Sequence, residues 1–197
     1  MSETSYHHGD LRAALLCEAE AELTEHGVER FSLRGVAKRA GVSHAAPAHH
    51  FGDKTGLLTA LAAIGFERFL AAQKRREALA PDDPAERLVA SGLGYIDYAM
   101  ANPALFRLMF ASKWVAEEDP TLCEVASAAF THLADAVSAV TGPEPMEAST
   151  GQTVLVGAWA VVHGLADLML TGRPKALMSL DDAEREAMIR AIVSKFV

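Results

Sequence analysis

Phe31-Ser-Leu-Arg-Gly-Val-Ala-Lys-Arg-Ala-Gly-Val-Ser-His-Ala-Ala-Pro-Ala-His-His-Phe51 decides how the rest of this chain is read. The stretch spells two short helices joined by a tight turn. Ser32 is a good N-cap, since its hydroxyl accepts a hydrogen bond from an otherwise unpaired amide of the first turn. Leu33, Val36, Ala37 and Ala40 then share one helical face. Gly41 stands where a left-handed residue ends a helix. Val42 plugs the turn, and Ser43 is placed to cap the second helix. Helix, Gly-containing turn and helix make the helix-turn-helix pattern. In that pattern the second helix lies in the DNA major groove, with its N-terminal residues at the base edges.

Charge around the motif fits that reading. The chain of 197 residues carries a formal net charge of -8, which argues against a general nucleic-acid coat. Yet from Arg30 to Thr55 the cations are Arg30, Arg34, Lys38, Arg39 and Lys54, against the single acid Asp53. A local basic face on an acidic protein suits site-specific DNA contact, where phosphate neutralisation supplies much of the affinity. The bland alternative is an ordinary solvated helix face.

Leu33 to Ser43, with His50-Phe51-Gly52-Asp53-Lys54-Thr55-Gly56-Leu57-Leu58 after it, resembles the tetracycline-repressor (TetR) family. The resemblance is specific from about Asp10 to Leu58 and continues beyond as helix order and chain length. It implies an all-α fold of about nine helices. An N-terminal three-helix head spans residues 1–56, with the helix-turn-helix at about 32–51, and a C-terminal helical bundle for ligand binding and dimerisation spans 57–197. Ser43, His44, Ala45 and Ala46 are placed to face bases, the Ala methyls matching thymine methyls. His49 and Lys54 are placed for phosphates, and Arg34 and Arg39 to reach the DNA backbone, with solvated surface as the competing reading for those two. A family arm before the first helix brings in Tyr6, His7 and His8. The chain departs from the family at Pro47, where a bulky apolar residue is usual, and at Ala48, where an aromatic is. Pro47 lacks the N–H that should bond back to Ser43 and pushes Ala46 off helical angles. The second helix is therefore expected to start late or with a distorted turn.

Taken in order, Asp10 is the expected cap of helix 1. Leu11, Leu15, Ala19 and Leu23 mark its buried face, and Gly27 ends it. The acids Glu18, Glu20, Glu22 and Glu25 would repel phosphate, so that face should turn away from DNA. Lys54–Leu79 reads as one long helix ending in Lys74-Arg75-Arg76, a sequence suited to a helix C-terminus. Pro81-Asp82-Asp83-Pro84 is a linker. Further helices are expected over Pro84–Ala101, Ala104–Trp114, Leu122–Val140, Glu147–Leu170 and Asp181–Phe196. A second linker falls at Gly142-Pro143-Glu144-Pro145. Phe51 is read as core.

Cys17 and Cys123 lack metal-ligand spacing and read as small packing residues of a reducing cytoplasm. Neither a metal nor a cofactor is expected. No signal peptide is visible, and Val154–Leu170, the most apolar run, holds His163 and Asp167 and falls short of the ~20 residues of a membrane span.

The C-terminal half is rich in Met, Phe and Trp, which suits an adaptable ligand pocket. Phe106, Met109, Phe110 and Trp114 are candidates, with plain core as the competing reading. Trp159 and His163 share a helical face at i and i+4. His163 needs a partner within an apolar helix: a backbone carbonyl, Tyr95, Asp97 or a ligand. The Trp159…His163-Gly164 spacing resembles one TetR subgroup with a Trp-His-Gly type of C-terminal domain. The resemblance further implies a homodimer through the last two helices, a double-stranded operator and a small-molecule effector. It implies a repressor released from DNA by a hydrophobic ligand. A helical-bundle enzyme is disfavoured by the lack of H-E-x-x-H, a Gly-rich phosphate loop or G-x-S-x-G. An interaction protein that kept the head but not DNA binding is the remaining alternative.

Overall fold

Capping chemistry sets the helix boundaries. In this computed structural model, which describes residues 8–111, 113–142 and 149–196, ten α-helices and a closing 3-10 turn account for the order, with no strand among the described residues. They are α1 (His8–Arg30), α2 (Leu33–Ala40), α3 (Ala46–Phe51), α4 (Lys54–Glu77), α5 (Pro84–Ala101), α6 (Pro103–Ala111), α7 (Pro120–Thr141), α8 (Ser149–Leu170), α9 (Lys175–Met178) and α10 (Asp182–Val193), then Ser194–Phe196. Asp83 caps α5 by accepting the Glu86 amide at 3.0 Å, with Pro84 at its first position. Asp181 and Glu184 form a reciprocal capping box on α10.

Several expected boundaries move. The helical assignment of α1 runs on to Arg30, but Gly27 inside it adopts φ 69° and ψ 170°, so the chain does break helical geometry there. α6 stops at Ala111, leaving Trp114 in the turn that follows. α9 had no sequence signal beyond Pro174 before it. Val154–Leu170 understates a helix that begins at Ser149: α4 and the Gly151–Leu170 part of α8 are both long and apolar enough to cross a membrane by composition. Half of that window in α4 is buried within the fold, as in the core helix of a globular protein. Tyr6, His7 and the Pro143–Pro145 part of the second linker lie outside the described residues.

The chain divides into two compact units, at boundaries unlike the expected 1–56 and 57–197. One unit joins residues 1–65 to 103–125, and the other joins 66–102 to 126–197. The first therefore contains the helix-turn-helix and also α6, which packs on α1. Its interior holds Leu15, Ala19 and Leu23 of α1, Phe31, Val36, Ala37, Leu57, Leu58 and Leu61, with Leu105 and Leu108 of α6. Each buried Leu contributes about 1.5–3 kcal/mol. α6 joins the head by burying Leu105, Phe106, Leu108 and Met109 on one side, while Arg107 and Ala111 stay exposed.

The second unit is built on α5 against α8, with α10 across both. Leu88, Val137 and Leu155 form a buried cluster flanked by Leu133 and Val140. α4 and α5 approach so closely that a Cβ on Gly94 would lie 2.7 Å from the Gln73 Cα and 2.8 Å from the Ala72 carbonyl. Arg76 ties three helices together: its Nε donates to Asp97 at 2.6 Å, and its two terminal nitrogens take Glu186 bidentately at 3.1 Å. The Lys74-Arg75-Arg76 run is thus more than a helix-end charge.

Candidate nucleic-acid interface

α2 is capped as its sequence requires. The Gly35 amide donates to Ser32 Oγ at 3.0 Å, and Gly41 closes the helix in the left-handed region at φ 65°. Val42 N–H then reaches back to the Ala37 carbonyl at 3.1 Å, the 6→1 bond of a Schellman-type stop.

Pro47 has the effect its chemistry predicts. Ser43 does not cap a helix directly after itself. Its carbonyl instead accepts the Ala46 amide at 3.0 Å in a turn, and α3 begins only at Ala46, with no side-chain cap. The first helical bond in this stretch that spans four residues is His49 N–H to the Ala45 carbonyl at 2.9 Å. Pro47 itself is fully buried, so it fills the apolar slot at which the chain departs from its relatives.

Ser43, His44, Ala45, Ala48 and His49 are exposed, whereas Ala46 and His50 are half-buried. Arg34 and Lys38 of α2, the helix packed on α3, are exposed as well. Lys38 thus joins Arg34 as an exposed cation beside α3, which its place in the sequence alone does not reveal. His50 lies with its ring 5.5 Å from that of His49. Phe51 is half-buried, with the Arg12 guanidinium 5.2 Å from its ring centre.

Two cations of the motif region are occupied elsewhere. Lys54 Nζ donates to the Val28 carbonyl at 2.7 Å and sits 4.3 Å from the Trp114 ring centre. It clamps the α1–α2 junction and the turn after α6, because its amine lies at the start of α4 where both meet. The same turn is tied by Ala116 N–H donating to Thr59 Oγ1 at 2.9 Å. Arg39 points back to α1, bonding Glu25 at 2.7 Å and approaching Glu18 at 3.4 Å. The hydrogen bond from Arg39, with the charges of His26 and Arg39, holds the Glu25 carboxyl below the usual range. The acidic face of α1 therefore binds one of the motif's own cations.

The expected ligand-facing residues separate into two groups. Phe106, Met109, Phe110 and Trp114 belong to the unit containing the head, and Trp159 and His163 to the other. Phe106 and Met109 are 3% and 8% exposed and read as core. Phe110 stacks against Phe106 at 5.0 Å, and Trp114 receives Lys54. In the second unit, Tyr95 is the partner His163 required, with its hydroxyl 2.7 Å from Nδ1. Asp97, the alternative, is taken by Arg76. Burial pushes the Tyr95 phenol up, and a hydrogen bond from Trp159 pulls it the other way. Indole N–H only donates, so the Tyr95 oxygen accepts from Trp159. Trp159 and His163, one turn apart, thus converge on one hydroxyl. Trp159 remains 40% exposed, with Phe130 6.5 Å away edge-on.

Among the described residues no group of three metal-ligating side chains comes together, and Cys17 and Cys123 are exposed free thiols rather than packing residues.

Comparison with known proteins agrees with this geometry. Residues 15–61 match the family model for bacterial regulatory proteins of the tetR family, and residues 88–194 match that of the tetracyclin repressor-like C-terminal domain. The chain is similar to the HTH-type transcriptional regulator BetI of Burkholderia mallei (strain NCTC 10229), 32% identical over 111 residues. That stretch is 56% of this chain and 57% of that protein, little more than half of either. A solved protein of unknown function from Rhodococcus sp. RHA1 superposes with a TM-score of 0.80 at 34% identity, covering 98% of this chain and 97% of that one. The TetR family regulator PfmR from Thermus thermophilus shares the fold, with a TM-score of 0.66 at 19% identity over 92% of this chain and 96% of its own.

Proposed function

The chain belongs to the tetR family of bacterial regulatory proteins, and on that footing we propose that it is a homodimeric, operator-binding transcriptional regulator, a repressor released from DNA by a small hydrophobic ligand. The observation that carries the reading is the surface of the second helix of the motif. Ser43, His44 and Ala45 are exposed in the turn that leads into it, and Ala48 and His49 are exposed on it, beside a packed helix that exposes Arg34 and Lys38. Small side chains and hydroxyls at the start of a helix allow close approach to base edges. Arg34, Lys38 and His49 supply phosphate contacts. Lys54 acts on DNA only through the shape of the head. The protein works in the cytoplasm, where its operator is.

A second copy covers the apolar side chains left outside on the last helices. Val156 and Trp159 of α8, Met188 of α10 and Phe196 after it are all substantially exposed. Pairing there sets two recognition helices about 34–36 Å apart, one DNA turn, or at a multiple of it. The effector meets Trp159 and His163, and their spacing to Gly164 supports reading the C-terminal half as one of the Trp-His-Gly type. It shifts the equilibrium only to the extent that it binds one head spacing better than the other.

Mapping the protein on its own genome, then titrating the recovered duplex, tests the reading. Log affinity must fall linearly with log salt, by roughly 0.9 per neutralised phosphate. A flat salt response, or the absence of any genomic binding peak, refutes it.

A further inference from the structure

Five permanent cations lie between Arg30 and Thr55, yet few face outward uncommitted. Arg39 is held by Glu25 and Glu18, and Lys54 by the Val28 carbonyl and the Trp114 ring. Arg30 folds back on its own helix, with Nε 3.4 Å from the His26 carbonyl. Arg34 and Lys38 are the two that are exposed with neither an ion pair nor a side-chain hydrogen bond among the described residues. The segment from Ser43 to Phe51 contains no Lys, Arg, Asp or Glu at all. Its only titratable groups are His44, His49 and His50.

We infer that DNA binding by this protein is coupled to protons: His44 and His49 carry the charge that recognition helices ordinarily place on lysine or arginine, so affinity rises as pH falls from 8 to 6. This deepens, and rests on, the operator-binding reading above. Histidine is the side chain that ordinarily changes charge between about pH 5 and 8. A protonated imidazole at a phosphate releases a counterion as any cation does, and a neutral one does not. Binding to a phosphate in turn favours the charged form, so proton uptake and DNA binding reinforce each other.

The surroundings set how many charges can appear. α2 contributes Arg34 and Lys38, both exposed. The start of α4 contributes Asp53, whose Oδ1 accepts the Gly56 amide at 2.9 Å, and Lys54, turned inward. α1 contributes Arg12 over Phe51, while its acids Glu18, Glu22 and Glu25 gather around Arg39 and His26. His50 is half-buried with its ring 5.5 Å from that of His49, which leaves His49 as the exposed imidazole of that pair. His44 is exposed in the turn before α3.

The test is fluorescence anisotropy with the recovered operator duplex and a random-sequence duplex of equal length, at pH 6 and 8 over a salt series. Wild type should bind both duplexes at least about tenfold more tightly at pH 6, with a salt slope steeper by about one to two. In His44→Gln/His49→Gln that pH ratio should collapse to within about twofold, whereas His49→Lys should retain tight binding at pH 8. Melting curves at both pH values separate loss of fold from loss of charge. A wild-type ratio near one, or a ratio the double variant leaves unchanged, overturns the inference while leaving operator binding intact. Failure to bind the operator at either pH overturns the operator reading itself.

Discussion

The Glu22 carboxylate occupies the space that a side chain on Gly35 would need. Glu22, on α1, is only 4% exposed, and a Cβ built on Gly35 would collide with its Oε1 and lie 2.9 Å from its Oε2. Ser32 Oγ donates to it at 3.5 Å, and His26 and Arg39 nitrogens stand at 3.7 and 3.9 Å. A buried carboxylate is tolerated only with such partners. Here it fastens the N-terminus of α2 to α1 and so determines where the helix-turn-helix sits in the head.

Gly35→Ala should therefore destabilise the protein, although Gly→Ala in a helix interior ordinarily stabilises by about 0.5–1 kcal/mol. Expelling the carboxylate from its partners costs about 1–3 kcal/mol. In a Glu22→Ala background the same change should be neutral or stabilising. Urea melts of the four proteins measure the coupling; simple additivity contradicts this geometry.

Lys54→Met should lower stability by about 1–2 kcal/mol, by removing a charge-assisted hydrogen bond to Val28 and the contact with Trp114. Trp114→Leu should weaken the head similarly, and the two losses should not add. The salt slope of DNA binding should stay unchanged in Lys54→Met. A slope reduced by about one would return Lys54 to the phosphate.

Ala48→Glu places a carboxylate on the exposed face of α3 without disturbing the core. Operator affinity should drop more than about a hundredfold, while the melting temperature moves little. A full effect on melting and none on DNA would mean that this face is not the one presented to the duplex.

Val156→Glu puts charge on an α8 position that is 60% exposed in the single chain. It should leave the chain folded and shift sedimentation from dimer to monomer, with operator binding lost in parallel. A dimer that tolerates Val156→Glu has its interface elsewhere.

His132 and Glu77 form a half-buried pair at 2.7 Å. Burial opposes ionisation of Glu77, but hydrogen bonds from His132 and Ser91, with the charges of His132 and Lys74, together hold its carboxyl below the usual value of 4.5. A carboxyl depressed on folding stabilises the protein above its unfolded value and loses that contribution as pH falls through the folded one. Glu77→Gln should thus lower stability by about 1 kcal/mol at pH 7, and the gap from wild type should close below about pH 4.5. A pH-independent gap would assign the loss to packing.

Much of the fold was legible in residues 31–51. Ser32, Gly41 and Pro47 act on amides within four residues of themselves, and each did so as its chemistry dictates. α5 likewise begins at Pro84 and ends before Asn102-Pro103, where the sequence punctuates it. Of the residues expected to face bases or phosphates around the second helix, Ser43, His44, Ala45 and His49 are exposed, whereas the late start draws Ala46 half under cover and leaves Ala48 outside.

The one-dimensional reading went astray where partners come from far along the chain. It counted Lys54 and Arg39 as cations for DNA, but Lys54 bonds a carbonyl 26 positions away and Arg39 a carboxylate 14 positions away. Phe106, Met109, Phe110 and Trp114 could be read from sequence as either ligand-facing or core, and they belong to the unit of the head, where α6 packs on α1. Helices, caps and the motif could be read along the chain, since they depend on contacts within a turn or two. Which charges remain free and which aromatics are core could not, because the folded chain brings distant segments within a few ångströms and those meetings assign the partners.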